Sequence, residues 1–170
     1  MKIFITSDQH FHHGRIISFF NRPFRNVTEM NEVMIAKWNN KVKHGDVVFH
    51  LGDFSSAWNW KSIRDIRERL NGEIIIILGN HDKAGRLERA GFSIADSYIV
   101  KINNLLLTHK PLRKIRNNGS VNVHGHIHNQ RTWGRRLNLS VEQTNYEPVE
   151  LKDVMWMAKK VMEREKYGTV

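Results

Sequence analysis

The sequence predicts a layered α/β fold, because short apolar segments alternate with segments of helical spacing. Five apolar segments that end abruptly in polar residues have the composition of buried strands, at residues 2–7, 47–51, 73–78, 105–108 and 121–123. Asn103-Asn104 is a two-residue turn that predicts a hairpin between segments 97–102 and 105–108. We therefore expect sheets covered by helices, with a parallel beginning and an antiparallel end.

The helical segments are recognised by their amphipathic spacing. They lie at residues 29–42, 60–70, 83–90 and 151–166. Met30, Met34 and Trp38 recur every fourth residue of the first segment, which gives that helix one apolar face. Thr28 is its expected N-cap.

Composition places the chain among soluble single-domain proteins. Its 170 residues, 40% hydrophobic and 26% charged, predict one domain spanning residues 1–170. The absence of cysteine excludes a disulfide framework and a thiolate-held zinc site. The N-terminal apolar run ends at Asp8, too early for a signal peptide or a membrane span, so we expect a cytoplasmic protein without membrane contact.

The charge balance indicates the kind of partner. With 27 Lys and Arg against 17 Asp and Glu, the net charge of +10 attracts phosphate-bearing molecules such as nucleotides or nucleic acid. The 10 histidines of a cysteine-free chain point to imidazole metal ligation or to acid–base chemistry.

Residues that can bind a metal ion follow every one of the five predicted strands. They are Asp8 and His10, then Asp53, then Asn80, His81 and Asp82, then His109, and finally His126 and His128. Ligands of open α/β sheets bind beyond the carboxyl ends of the strands, so we expect these side chains to converge on one crevice. Gly52, Gly79 and Gly125 allow sharp turns and a close approach of the backbone to an ion.

The donor set selects the class of metal. Mixed imidazole and carboxylate ligands favour manganese, iron, zinc, cobalt or nickel over calcium or magnesium. The set is larger than one ion needs. Two ions about 3.5–4 Å apart that share a bridging carboxylate would use all of it and would suit in-line displacement at phosphorus.

Five motifs follow the strands in order, namely Asp8-x-His10, Gly52-Asp53, Gly79-Asn80-His81-Asp82, His109 and Gly125-His126-x-His128. This order resembles that of the calcineurin-like metallophosphoesterases, and the resemblance runs from Met1 to about Glu150. It implies a four-layer αββα sandwich. Further variants around His10 and Arg22 resemble a small single-domain branch found in bacteria or phages.

The resemblance also implies a role for each motif residue. It implies one ion held by Asp8, His10 and His128, another held by Asn80, His109 and His126, and Asp53 as the bridge between them. His81 resembles the catalytic histidine of the family, and Asp82 resembles the acid that orients it. Manganese is the expected metal of both positions, with iron, zinc, nickel and cobalt as alternatives.

The implied activity is that of a metal-dependent phosphoric ester hydrolase in which a hydroxide bridging the two ions attacks phosphorus. The positive field favours a phosphodiester of nucleotide type. A phosphomonoesterase that uses the same site is the nearest alternative, because the motifs bind the phosphate and not the rest of the substrate. A further alternative, from a different functional class, is a non-catalytic module on this fold that binds nucleic acid or protein.

Several other polar residues have two interpretations. His13 is expected either to contact a substrate phosphate or to support a metal ligand, whereas His50 fits a satisfied core histidine or a donor to a ligand. Arg113 and Arg135 lie in basic segments just beyond predicted strands. Such segments are usually solvated surface, but their position makes both arginines candidate phosphate contacts. Asp46 is expected to be a structural turn residue.

Overall fold

Two β-sheets share one apolar cluster in the computed structural model, which describes residues 1–116 and 119–167. Along the chain the elements are β1 (Ile3–Thr6), α1 (Ile16–Phe19), α2 (Val27–Lys41), β2 (Val47–His50), α3 (Trp60–Arg69), β3 (Glu73–Ile76), α4 (Ala84–Arg89), β4 (Ser93–Ile94), β5 (Val100–Ile102), β6 (Leu105–Thr108), β7 (Val121–His124), β8 (Arg136–Asn138), a short 3₁₀ helix (Val141–Gln143), β9 (Val149–Glu150) and α5 (Leu151–Tyr167).

The strand order explains how the loops meet. The first sheet has the order β4-β3-β2-β1-β9, in which β1 to β4 are parallel and β9 is antiparallel to β1. The second sheet has the order β5-β6-β7-β8. Thr6 pairs with His50, and His50 pairs with Ile76, so β1, β2 and β3 end side by side. The loops that follow these strands therefore begin at one edge of the first sheet.

The second sheet departs from the predicted antiparallel arrangement. The hairpin at Asn103-Asn104 forms as expected, because β5 is antiparallel to β6 and Asn103 has a φ of 53°. The strands β6, β7 and β8 are parallel, so the predicted antiparallel arrangement is wrong for these three strands. The long segments between these strands return the chain to the start of the sheet, so each strand runs in the same direction as its neighbour.

Side-chain alternation along β1 supplies both apolar clusters. Phe4 is buried in a cluster with residues of α2, α3 and α4, whereas Ile5 is buried in the cluster between the two sheets. Val154 and Ala158 of α5 join that second cluster, and α5 contacts strands of both sheets. The structure thus contains two mixed sheets with helices packed against them. This arrangement confirms the predicted layered α/β class. No helix among the described residues is long and apolar enough to cross a bilayer.

The start of α2 corrects one predicted cap. The helix begins at Val27, and the side-chain oxygen of Asn26 accepts a 2.9 Å hydrogen bond from the backbone N–H of Glu29. Thr28 lies inside the first turn and is not the N-cap. Asparagine is at least as good a cap as threonine, and here it stands three residues before a free N–H group.

We expect Trp38→Ala to lower the free energy of unfolding by about 3–5 kcal/mol, because it empties a core position and breaks a hydrogen bond. Trp38 is 1% exposed, and its Nε1 donates to the carbonyl oxygen of Asn71 at 3.0 Å. Trp58 is 84% exposed and is the matched control, with an expected loss of about 0.5 kcal/mol or less for Trp58→Ala. Urea unfolding measures both, and equal losses would contradict the core assignment.

Candidate metal centre

The loops that carry the predicted metal ligands have a strained backbone. Positive φ angles between 50° and 70° occur at Asp8, His10, Asp53, His126 and His128. This left-handed conformation costs a residue with a Cβ about 1–3 kcal/mol and persists only where the surroundings hold it. Here the N–H groups of Asp8 and His10 donate to the carbonyl oxygens of Gly52 and Asp53, each at 3.0 Å. Such stored strain is typical of functional sites.

The predicted ligands form two groups with one residue between them. The ligand atoms of Asp8, His10 and His128 lie within 4.8 Å of one another, and so do those of Asp53, His109 and His126. Asp53 Oδ2 is 3.5 Å from His10 Nε2 and 3.5 Å from His109 Nε2. The oxygen of one carboxylate therefore faces an imidazole nitrogen of each group.

Two glycines permit this close packing. A Cβ on Gly79 would overlap the Asp53 carboxylate, and a Cβ on Gly125 would overlap the side chains of Ser7 and Asp8. A side chain at either position would displace a predicted ligand. Both glycines are thus required by the approach of the backbone to the site.

Hydrogen bonds fix which nitrogen of two histidines faces the centre. His109 Nδ1 lies 2.8 Å from the carbonyl oxygen of Leu51, and His128 Nδ1 lies 3.0 Å from Glu142 Oε1. Each Nδ1–H donates there, so Nε2 is the ring nitrogen that faces the centre and can bind a ligand. His109 Nε2 and Asn80 Oδ1 are then two acceptors only 3.0 Å apart, an arrangement that a shared cation would stabilise.

The first group contains buried polar atoms without partners. Among the described residues, Asp8 Oδ1 and both ring nitrogens of His10 are buried and make no hydrogen bond, whereas Asp8 Oδ2 accepts from the N–H of His126 and the hydroxyl of Ser140. Burial raises the pKa of Asp8. Burial, reinforced by the nearby His128, lowers the pKa of His10 to about 2, which keeps this ring neutral. A neutral imidazole and an unpaired carboxylate oxygen fit a divalent cation.

A buried ion pair between Arg22 and Glu142 supports the first ligand group, and the sequence analysis did not predict it. Arg22 Nη2 donates to Glu142 Oε1 at 2.7 Å and to the carbonyl oxygen of Asp8 at 2.8 Å, and its Nη1 donates to that of Gln9 at 2.7 Å. Burial alone would raise the pKa of Glu142, but the hydrogen bond with His128 and the charge of Arg22 lower it overall. An ionised Glu142 therefore orients His128.

The Asp82 carboxylate accepts hydrogen bonds from the backbone of two loops. Its Oδ2 accepts from the N–H groups of Asp53 at 2.7 Å and Gly79 at 2.9 Å, and its Oδ1 accepts from that of Phe54 at 3.1 Å. Each of these bonds goes to the backbone. The carboxylate thus joins the loop after β3 to the loop after β2, and its role in orienting the imidazole of His81 stays a prediction.

His81 and His13 lie beside the centre. His81 is exposed, and its ring centroid is 5.4 Å from that of His10. Its backbone N–H donates to Asp53 Oδ1 at 2.9 Å, so the loop of His81 contacts the central carboxylate directly. The ring centroid of His13 is 5.6 Å from that of His10, which is compatible with either predicted role of His13.

The two predicted arginine contacts differ in their surroundings. Arg135 Nε forms a 2.9 Å ion pair with Glu165 of α5, and its guanidinium donates to the carbonyl oxygens of Ile115 and Ser120 at 3.4 Å. The protein itself engages this side chain, and the phosphate contact of Arg135 stays a prediction. Arg113 is exposed, and its phosphate contact stays a prediction.

His50 is a satisfied core residue that supports the loops. Its Nδ1 accepts from the N–H of Gly52 at 3.1 Å, so its Nε2–H donates to Gln9 Oε1 at 2.5 Å. Gln9 Nε2 in turn donates to the hydroxyl of Thr6 at 2.8 Å. Burial lowers the pKa of His50 to about 3. The neutral ring thereby connects the loop of Asp8 with the loop of Asp53.

Comparison with known proteins agrees with this geometry. The profile of the calcineurin-like phosphoesterase family matches residues 1–166. The chain belongs to the calcineurin-like phosphoesterase family. Members of this family bind divalent metals, and the two groups of ligands described above could hold two ions. The family is thus the one that the motifs resemble.

Relatives of this calcineurin-like phosphoesterase align with it over most of their own length. An uncharacterized protein, MJ1445, of Methanocaldococcus jannaschii is 38% identical over 94% of this chain and 92% of its own length. The gene 66 protein of Mycobacterium phage D29 is 27% identical over 75% of this chain and 79% of its own. The crystal structure of AQ665 from Aquifex aeolicus, a protein of unknown function, has a TM-score of 0.72 at 24% identity, covers 92% of this chain and 98% of its own, and shows the fold.

We expect the stability of the metal-free protein to depend on pH through His50. An unfolded histidine has a pKa near 6.5, so below about pH 6.5 the unfolded chain binds a proton that the folded chain binds only near pH 3. The stabilising contribution is present above pH 6.5 and is lost as the pH falls. In a chelator, wild type should lose about 1 kcal/mol more per pH unit between pH 6 and 4 than His50→Gln does. Urea unfolding at each pH measures this difference. Equal losses of unfolding free energy in wild type and His50→Gln between pH 6 and 4 would contradict this assignment.

Proposed function

We propose that this protein is a dimetal-dependent phosphoesterase that hydrolyses a phosphodiester of nucleotide type. The observation that carries the proposal is the position of Asp53 Oδ2, at 3.5 Å from an imidazole nitrogen of each ligand group. One carboxylate shared by two ligand groups is suited to two neighbouring ions, which would act on the attacking and leaving oxygens of a displacement at phosphorus.

The residues of the two groups would hold the metals as follows. Asp8, His10 and His128 would bind one ion, Asn80, His109 and His126 the other, and Asp53 both. Two bound divalent cations lower the pKa of water to about 7 and neutralise charge on the phosphate. We propose manganese for both positions, with iron, zinc, nickel or cobalt as alternatives, because the donors mix imidazole with carboxylate.

The exposed side of the centre defines where a substrate arrives. Asp8, His10 and Asp53 are buried, whereas Asn80 and His81 are exposed. A phosphoester therefore approaches past His81, whose imidazole can donate a proton to the leaving oxygen or a hydrogen bond to the phosphate. Asp82 keeps the loop of His81 against Asp53 through its backbone contacts, which would preserve the distance between the imidazole and the centre.

The charge of the chain supports the substrate class. A net charge of +10 raises the local concentration of anionic nucleotides and oligonucleotides at the protein surface. A cysteine-free sequence supports a reducing compartment, and we propose the cytoplasm. A monoester presents one more negative charge to the metals than a diester does. The rates of hydrolysis of the two ester types distinguish a phosphodiesterase from a phosphomonoesterase.

The test compares substrates, metal removal and one matched pair of variants. With Mn²⁺ supplied, we expect hydrolysis of nucleotide diesters to exceed that of monoesters, and we expect a chelator to abolish both. Asp53→Asn removes the charge shared by the two groups, so it should reduce bound metal and lower turnover by about 10²-fold or more. The Asp46 carboxylate accepts from the N–H groups of Lys2 and Lys43, which makes Asp46→Asn a control that keeps its metal and turnover.

Each result has a distinct meaning. Faster hydrolysis of monoesters would assign a phosphomonoesterase. Metal binding without hydrolysis of any ester would assign a non-catalytic binding module. Normal metal content and turnover in Asp53→Asn, measured by metal analysis of the folded protein, would remove Asp53 from the centre.

We expect His81→Ala to retain its metal while its turnover falls by about 10²–10⁴-fold, since the side chain of His81 is placed at the exposed side of the centre. The loss should be larger for substrates with poor leaving groups, because an acidic alcohol needs less protonation. Rates for a series of aryl and alkyl esters measure this dependence. Equal losses across the series would indicate that His81 binds the phosphate and does not protonate the leaving group.

A further inference from the structure

A cavity of about 410 Å³ adjoins the second ligand group. Asn80 and His109 lie on its wall, and Leu78, Ile99 and Leu112 supply apolar surface beside them. Its volume falls in the range of about 300–1,000 Å³ that small-molecule sites occupy. A larger depression of about 760 Å³ lies along α5, but it contains none of the candidate ligands and has no relation to the centre.

The interior wall of the cavity offers few free polar groups. The hydroxyl of Thr108, which lines it, donates to the carbonyl oxygen of Lys110 at 2.7 Å. The Nδ1–H of His109 already donates to the carbonyl oxygen of Leu51 at 2.8 Å. The remaining wall next to the candidate ligands is therefore better matched to an apolar or aromatic group than to a peptide.

The rim of the cavity carries an aromatic ring and a cation. Tyr98 is 74% exposed and Ile99 is 46% exposed, although both border a concave surface. Lys110 is exposed, and in residues 1–116 and 119–167 no carboxylate lies within ion-pair distance of its ammonium group. An exposed ring can stack on a planar group, and an unpaired ammonium beside His109 can face a phosphate.

We propose that this cavity binds the aromatic ring carried by the group that is esterified to the substrate phosphate, with Tyr98 stacked on the ring and Lys110 facing the phosphate. The inference rests on the proposed function, because it needs the phosphate to lie at Asn80 and His109. A group attached to that phosphate must leave the centre in some direction, and the cavity is continuous with both residues. A nucleotide or an aryl phosphate has the required combination of anion and planar ring.

Binding measurements test the proposal without requiring hydrolysis. Calorimetry on the Mn²⁺-loaded protein compares methyl phosphate, phenyl phosphate and thymidine 5′-phosphate, which share an anion and differ in the ester group. We expect at least one of the two aromatic phosphates to bind about 10-fold more tightly than methyl phosphate. Tyr98→Ala should abolish this preference and leave the affinity for methyl phosphate unchanged, whereas Tyr98→Phe should keep the preference because it retains the ring.

A second exposed aromatic residue supplies the control. Trp133 is 65% exposed and lines a different depression, so Trp133→Ala should keep the aromatic preference. The proposal is overturned if both aromatic phosphates bind like methyl phosphate, or if their advantage persists in Tyr98→Ala. Hydrolysis without an aromatic preference would reject the proposed role of the cavity and leave the proposed phosphoesterase function standing. An aromatic preference without hydrolysis of any ester would support the proposed role of the cavity and reject the proposed phosphoesterase function.

Discussion

The Asp53 carboxylate connects every loop of the centre. Its Oδ1 accepts from the N–H of His81, while its Oδ2 faces His10 from the first sheet and His109 from the second. The backbone N–H of Asp53 donates to Asp82, which also binds the loop after β3. A displacement of this one residue would therefore be transmitted to both sheets. The strained φ of 57° at Asp53 is held by the same contacts.

Arg22 performs a related task for the first ligand group. Its guanidinium is buried, so the cost of removing it from water must be offset by the carboxylate of Glu142 and by two backbone carbonyl oxygens. Those carbonyls belong to Asp8 and Gln9. The ion pair thus fixes the left-handed loop after β1, and through Glu142 it also fixes the ring of His128. Stability and ligand orientation depend here on the same bonds.

The sequence predicted the elements and ligands whose signals are local. Each of the five strands predicted from an apolar run ends within two residues of that run, and the turn role of Asp46 is confirmed by its two bonds to backbone N–H groups. Features that depend on distant partners were not predictable. Arg22 and Glu142 are 120 residues apart, and the parallel pairing of β6, β7 and β8 depends on loops that carry no helical or hairpin signal.

The ligands are drawn from the part of the chain between Asp8 and His128, and this dispersion couples the centre to the fold. Asp8 and His128 come from opposite parts of the sequence and from the two different sheets, so no fragment of the chain can assemble the first ligand group alone. A metal bound there would act as a cross-link between the sheets and would bind the folded chain far better than the unfolded one. Metal occupancy would then raise the free energy of unfolding of the whole domain.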